Sequence, residues 1–224
     1  AAKELFDFFN SKSASMKTSV NIEYTLELVK TKASVLKRGP AAVLSLKMGL
    51  DRMYIVKNVG ELLECIKHHK VLTFGKGFSF DPSVHSFCEN DYAIICYLME
   101  MWQNDNLIDY LTGDFKKRSI FKDKEIYLSD AALKRLLELL LPISFNVIAD
   151  GQNYNNVSIT NSDLPIDFTL TKNASTVDLK FETKHPFHMV TWDCEYFLLD
   201  KNIYKVSRNQ TEYLKPFVQF IQKE

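Results

Sequence analysis

Gly75-Lys76-Gly77, set between Phe74 and Phe78, places a lysine between two glycines, the residue types with which a loop wraps a phosphate. A phosphate loop needs the pattern G-x-x-x-x-G-K-[ST], so that successive amides cradle the anion and the hydroxyl reaches a metal ion. Here Gly77 stands where that hydroxyl belongs, and Lys70 stands where the first glycine would be. The dinucleotide pattern G-x-G-x-x-G fails as well, because position 80 is Phe80. The stretch reads as a tight turn between two aromatic-bearing strands, with no cofactor held.

His185-Pro-Phe-His188, with Asp193 and Cys194 further on, has the residue types of a metal site. Pro186 disfavours the helix on which an H-E-x-x-H pair sits, and a closed zinc site needs a fourth ligand at short spacing. No metal is expected. No G-x-S-x-G elbow occurs, no cysteine has a histidine in a catalytic frame, and Asp163 and Asp167 lie at a turn and the strand after it, where solvation explains them. No catalytic residue is assigned, so the chain is read as no enzyme.

One stretch carries a different chemistry. FKKRSIFKDK sets Lys116, Lys117, Arg118, Lys122 and Lys124 among Phe115 and Phe121. Cations interleaved with aromatics suit contact with a nucleic-acid backbone. Asp114, Asp123 and Glu125 dilute the stretch, and a solvated charged face is the competing reading.

The elements that must position these residues come from an ordinary globular composition. The chain has 224 residues, 46% of them apolar, with 28 basic and 28 acidic side chains. That length buries a core without disulfides. A zero net charge excludes binding that runs on a broad basic surface, so any phosphate contact must be local. The apolar runs are broken by charge short of a membrane span, and the start AAKELFDFFNSKSASMK is no signal peptide. Cys65, Cys88, Cys96 and Cys194 are widely spaced and read as reduced thiols, Cys96 in the core, of a cytoplasmic protein.

SVNIEYTLELVK alternates Val20, Ile22, Tyr24, Leu26 and Leu28 on one face of a strand. A hairpin follows over AAVLSLKMGL and DRMYIVKN, then a helix capped by Asn58. VLTF and the segment after Gly77 read as short strands, and NDYAIICYLMEMW as a buried helix capped by Asn90 or Asp91. Residues 103–124 read as an exposed connection. Ser129 caps the Leu-rich helix that Pro142 stops. Seven short extended segments follow, read as repeated antiparallel hairpins, and a helix with Pro216 inside it closes the chain. The expected class is α+β, with mostly antiparallel sheets and several packed helices. Residues 1–17 read as tag or linker with a short helix, and the missing initiator Met suggests a fragment. Residues 18–224 read as the domain, with an α/β half over 18–142 and a β-rich half over 143–224.

Four segments, DRMYIVKNVGELLECI, LTFGKGFSFDPSVHSFCENDYAIICYLMEMW, EIYLSDAALKRLLELL and NIYKVSRNQTEYLKPFVQFI, together resemble the bacterial SWI/SNF helicase-associated domain. The counterparts are Tyr54 to Lys57, Phe74 to Pro82, Asp91 onward, Tyr127 to Asp130 and Tyr204 to Gln210, over most of the chain from about residue 20. The resemblance implies a non-catalytic accessory domain of a bacterial SWI/SNF-family DNA-dependent ATPase. Such a domain positions the motor on duplex DNA or docks another protein. It implies as partners an N-terminal SWIM-type region and a C-terminal ATPase motor in the same chain, with ATP and Mg held downstream. The alternative is a stand-alone protein-interaction module with no nucleic-acid role.

Overall fold

The computed structural model describes residues 17–29, 40–104, 119–172, 177–182 and 187–221. The chain divides into two compact units, Ala1–Thr25 with Val43–Tyr127, and Leu26–Ala42 with Leu128–Glu224.

β1 (Thr18–Leu28), whose residues up to Thr25 belong to the first unit, buries Val20, Tyr24 and Leu26, with Ile22 and Leu28 half-buried, as its alternation requires. β2 (Ala42–Gly49) buries every second residue, from Ala42 to Met48, and turns at Gly49 into β3 (Met53–Ile55). Only glycine fits there, because a Cβ would run into the Arg52 carbonyl oxygen. α1 (Val59–His68) starts where the Asn58 side chain accepts the Glu61 N–H at 3.0 Å. It buries Val59, Leu62, Leu63 and Ile66 and ends at His69, whose φ of 53° closes the last turn.

β4 (Leu72–Phe74) and β5 (Phe78–Phe80) form a hairpin, and β6 (His85–Phe87) pairs with β1 in parallel. α2 (Glu89–Gln103) is capped by Cys88, whose sulfur accepts the Asp91 N–H, in place of the expected Asn90 or Asp91. Cys96, expected in the core, is half-buried on this helix, while Cys65 is buried and Cys88 exposed. β7 (Phe121–Lys122) and β8 (Glu125–Leu128) make a short hairpin.

The second unit begins its helical part with α3 (Asp130–Leu140), capped by Ser129 at 3.3 Å from the Ala132 N–H. Leu133, Leu136, Leu137 and Leu140 form its fully buried stripe. β9 (Phe145–Ala149) and β10 (Gln152–Thr160) are joined by Asp150-Gly151, both at positive φ, the backbone of a type I′ turn. β11 (Asp167–Lys172) and β12 (Val177–Glu182) pair with each other in a two-stranded sheet of their own among the described residues. β13 (Phe187–Met189), β14 (Tyr196–Leu199) and β15 (Asn202–Lys205) form a meander, and α4 (Arg208–Ile221) follows. Leu164, Cys194, Phe197, Leu199, Val206 and Leu214 make a buried cluster in this unit. Gln210 ties α4 to the chain before β11, accepting from the Leu164 N–H at 2.8 Å and donating to its carbonyl at 2.9 Å.

The expected mostly antiparallel sheets are corrected by the hydrogen-bonding order. One eleven-stranded mixed sheet runs β13-β14-β15-β10-β9-β1-β2-β8-β7, with β3 on β2 and β6 on β1. The structure is richer in strand than an arrangement of several packed helices on antiparallel sheets. β15 lies parallel to β10, Ser158 opposite Asn202, and β6 lies parallel to β1. The physical reason lies in the connections. Two-residue turns force antiparallel neighbours, but β10 and β15 are separated by two hairpins, and a connection that long leaves either direction open. Alternation identifies a strand without specifying its neighbour.

Candidate functional site

The Gly75-Lys76-Gly77 stretch is the turn of the β4–β5 hairpin, with Phe74 opposite Phe78. Gly75 takes a φ of 62°, and a Cβ on Gly77 would run into the Tyr54 hydroxyl. The glycines serve backbone conformation and close packing, one each. Around them Tyr54, Phe74 and Phe78 stack at 5.4–6.5 Å between ring centroids, and Phe78 and Phe80 both flank His85. Lys76 is exposed on the turn.

Of the basic stretch, Lys116, Lys117 and Arg118 lie outside the described residues, as does most of the expected connection over 103–124. Lys122 and Lys124 are exposed on either side of Asp123, the β7–β8 turn. The Asp123 carbonyl accepts the Val59 N–H at 2.9 Å, which brings this turn to the start of α1 and to exposed Lys57. Lys57, Lys122 and Lys124 have no carboxylate partner among the described residues. Three cations without carboxylate partners among the described residues thus gather at the start of α1, where the Val59 and Glu61 N–H groups are already taken by Asp123 and Asn58.

Beside Lys57 runs a trough of about 640 Å³, lined by residues from Arg52 to Asn58, Glu61, and Val71 to Gly75. Ile55 and Val71 are each 55% exposed at it. The sequence reading missed Arg52, Ile55, Lys57 and Val71. The available signal was a short apolar strand with a cation on each side, Arg52 and Lys57.

His185 lies outside the described residues. His188 is on β13, with its Nε2 3.0 Å from the Tyr154 hydroxyl and its Nδ1 3.4 Å from the Asp150 carboxylate. The structure does not gather it with Asp193 and Cys194. Asp193 pairs with Lys134 instead, and the buried Cys194 thiol, pushed up to about 11 by burial, points at the Met189 sulfur. Among the described residues no group of three or more His, Cys, Asp or Glu is placed to hold a metal ion. Asp163, read as solvated, receives the Ser207 N–H at 2.7 Å and the Ser207 hydroxyl at 3.1 Å.

Two polar clusters lie away from the trough. The Asp91 carboxylate, 7% exposed, accepts the Tyr24 hydroxyl at 2.9 Å and the Cys88 thiol at 3.1 Å. Burial raises this carboxyl above the ordinary range despite those bonds, and burial together with Asp91 raises Tyr24 too. On α3, Asp130, Lys134 and Glu138 share one face. Asp130 accepts the Trp192 N–H at 2.7 Å, Lys134 bridges Asp193 and Glu195, and Glu138 meets Lys205 at 3.4 Å. Burial alone would raise the Asp193 carboxyl, but the hydrogen bonds from Lys134 and Thr191 outweigh it and hold it below the ordinary range.

Residues 124–224 match the family model described as bacterial SNF2 helicase associated. The match takes in EIYLSDAALKRLLELL and NIYKVSRNQTEYLKPFVQFI, while the other two resembling segments lie ahead of it. This part of the chain is therefore similar to an accessory region of SNF2-family helicases. No curated protein and no solved structure matches the chain. No described helix is long and apolar enough to cross a membrane.

Proposed function

We propose that the chain is a non-catalytic accessory region of a bacterial, cytoplasmic SWI/SNF-family DNA-dependent ATPase, which positions the motor on duplex DNA or docks a partner. The observation that carries this reading is the family match over residues 124–224. The chain itself holds no cofactor, and ATP and Mg belong to a motor in the parent polypeptide. Support for DNA contact comes from the gathering of Lys57 with Lys122 and Lys124, which belong to the same basic stretch as Lys116, Lys117 and Arg118. Support for docking comes from the trough beside them.

Phosphate contacts position a protein without reading sequence, so the DNA arm has a defined signature. Changing Lys116, Lys117 and Arg118 together to Ala weakens binding equally for two unrelated duplexes. The slope of log affinity against log salt flattens by about one unit for each phosphate no longer engaged. Fluorescence anisotropy across a salt series measures both. A triple variant that binds like the wild type removes DNA from the proposal.

A further inference from the structure

β3 pairs only with β2, and β4 only with β5, among the described residues. The trough between them is lined by all of Met53–Ile55 and all of Leu72–Phe74, and by no residue of β2 or β5. It therefore runs along two open sheet edges. The Val56 N–H donates to Leu46 at 3.0 Å, and Tyr54 stands opposite Met48. By the alternation of an antiparallel ladder, Met53 and Ile55 then turn their N–H and C=O groups away from β2. None of these groups has a backbone partner elsewhere among the described residues.

An open edge with outward amides is a template for another strand. The side chains here define which one. Ile55 and Val71 offer aliphatic contact for alternate residues of an incoming strand. Arg52, whose guanidinium lies 5.7 Å from the Tyr54 ring centroid, and Lys57 put two cations without carboxylate partners among the described residues on the lining, against one acid, Glu61. A second copy of this chain would bring the same cations to face these across a two-fold axis, which repels it. A nucleic-acid strand would want open aromatic faces to stack on, and the large exposed apolar side chains of the lining, Ile55 and Val71, are aliphatic.

We propose that this trough takes up an extended, acidic strand of a second protein by β-strand addition, with apolar side chains at alternate positions and carboxylates meeting Arg52 and Lys57. This rests on the docking half of the reading above and shares one residue, Lys57, with its DNA half.

The test uses the 224-residue chain and dye-labelled ten-residue peptides, with Val, Ile, Leu or Phe alternating with Thr and two Asp at each end. Controls carry Lys at the ends, or Pro at alternate positions, which removes the strand's donors. The best acidic peptide binds at least about tenfold tighter than either control, because both the edge amides and the cations are used. Arg52→Glu with Lys57→Glu reverses the preference between acidic and basic ends. Ile55→Pro, which removes an outward N–H and no β2 ladder bond, costs about tenfold while circular dichroism stays unchanged. Hydrogen exchange at Met53 and Ile55 slows on binding. If no acidic peptide outbinds its Pro-interrupted control, or exchange slows only elsewhere, the inference falls. Self-association that Arg52→Glu abolishes, or competition by duplex DNA that persists in Lys57→Glu, also overturns it. Failure here with normal salt-dependent DNA binding leaves the DNA arm of the reading standing.

Discussion

Lys134 and Lys205, in the unit that carries most of the family match, are both engaged with carboxylates. Lys134 bridges Asp193 and Glu195, and Lys205 meets Glu138 and Glu195. Around the trough in the other unit, Arg52, Lys57, Lys122 and Lys124 have none among the described residues. The residue types are the same and their roles differ. Cations that already have partners fix α3 to the turn before β14, whereas cations left without them are available to a ligand. Asp91 shows a third solution: a buried carboxylate satisfied by two neutral donors.

Breaking the buried cluster has the largest effect. Tyr24→Phe leaves Asp91 short of a donor in a dry site, and urea unfolding should show a loss of about 1–3 kcal/mol. Its pH dependence has a definite sign. Asp91 is raised in the folded chain, so its contribution is fully present below the unfolded carboxylate value of about 4 and is lost as pH rises through the raised folded value. A wild type that gains nothing over Asp91→Asn on mild acidification contradicts this.

Lys134→Ala tests the paired cations. It leaves Asp193 and Glu195 facing each other, at a cost of roughly 1 kcal/mol that shrinks with added salt, as thermal melts at low and high salt would show. Here the sign is opposite. Asp193 is held low, so its contribution is present above the unfolded value and is lost as pH falls through the folded one. An insensitive variant would make this network a decoration of the surface.

The smallest effect sharpens the comparison most. Lys122→Ala with Lys124→Ala removes side chains that have no carboxylate partner among the described residues, so the melting temperature should hold and stability change by under about 0.5 kcal/mol. A larger loss would mean that these cations are engaged after all and that availability is the wrong description.

The sequence made local structure legible and long-range placement not. Asn58 and Ser129 announced their helices because side-chain oxygens cap by a short, local bond. Cys88 did not, since sulfur is a weak acceptor and stands outside the usual capping residues. Gly75 and Gly77 were legible as a turn, but the close approach of Tyr54 that requires Gly77 was not. Lys122 and Lys124 stood out within a basic run. Lys57 did not, because only the Val59–Asp123 hydrogen bond brings it beside them. The trough escaped entirely, being made by two edges that no periodicity relates. The direction of β15 was hidden for the same reason.

That last pairing has a consequence in time. Ser158 meets Asn202 only after 44 further residues have been added to the chain. At a synthesis rate of about 5–20 residues per second, β10 waits roughly 2–9 s on a ribosome for the strand that covers its second edge. Throughout that interval β10 has β9 on one side and an open ladder on the other, so the nascent chain passes through a stage exposed to mispairing that the finished protein never revisits.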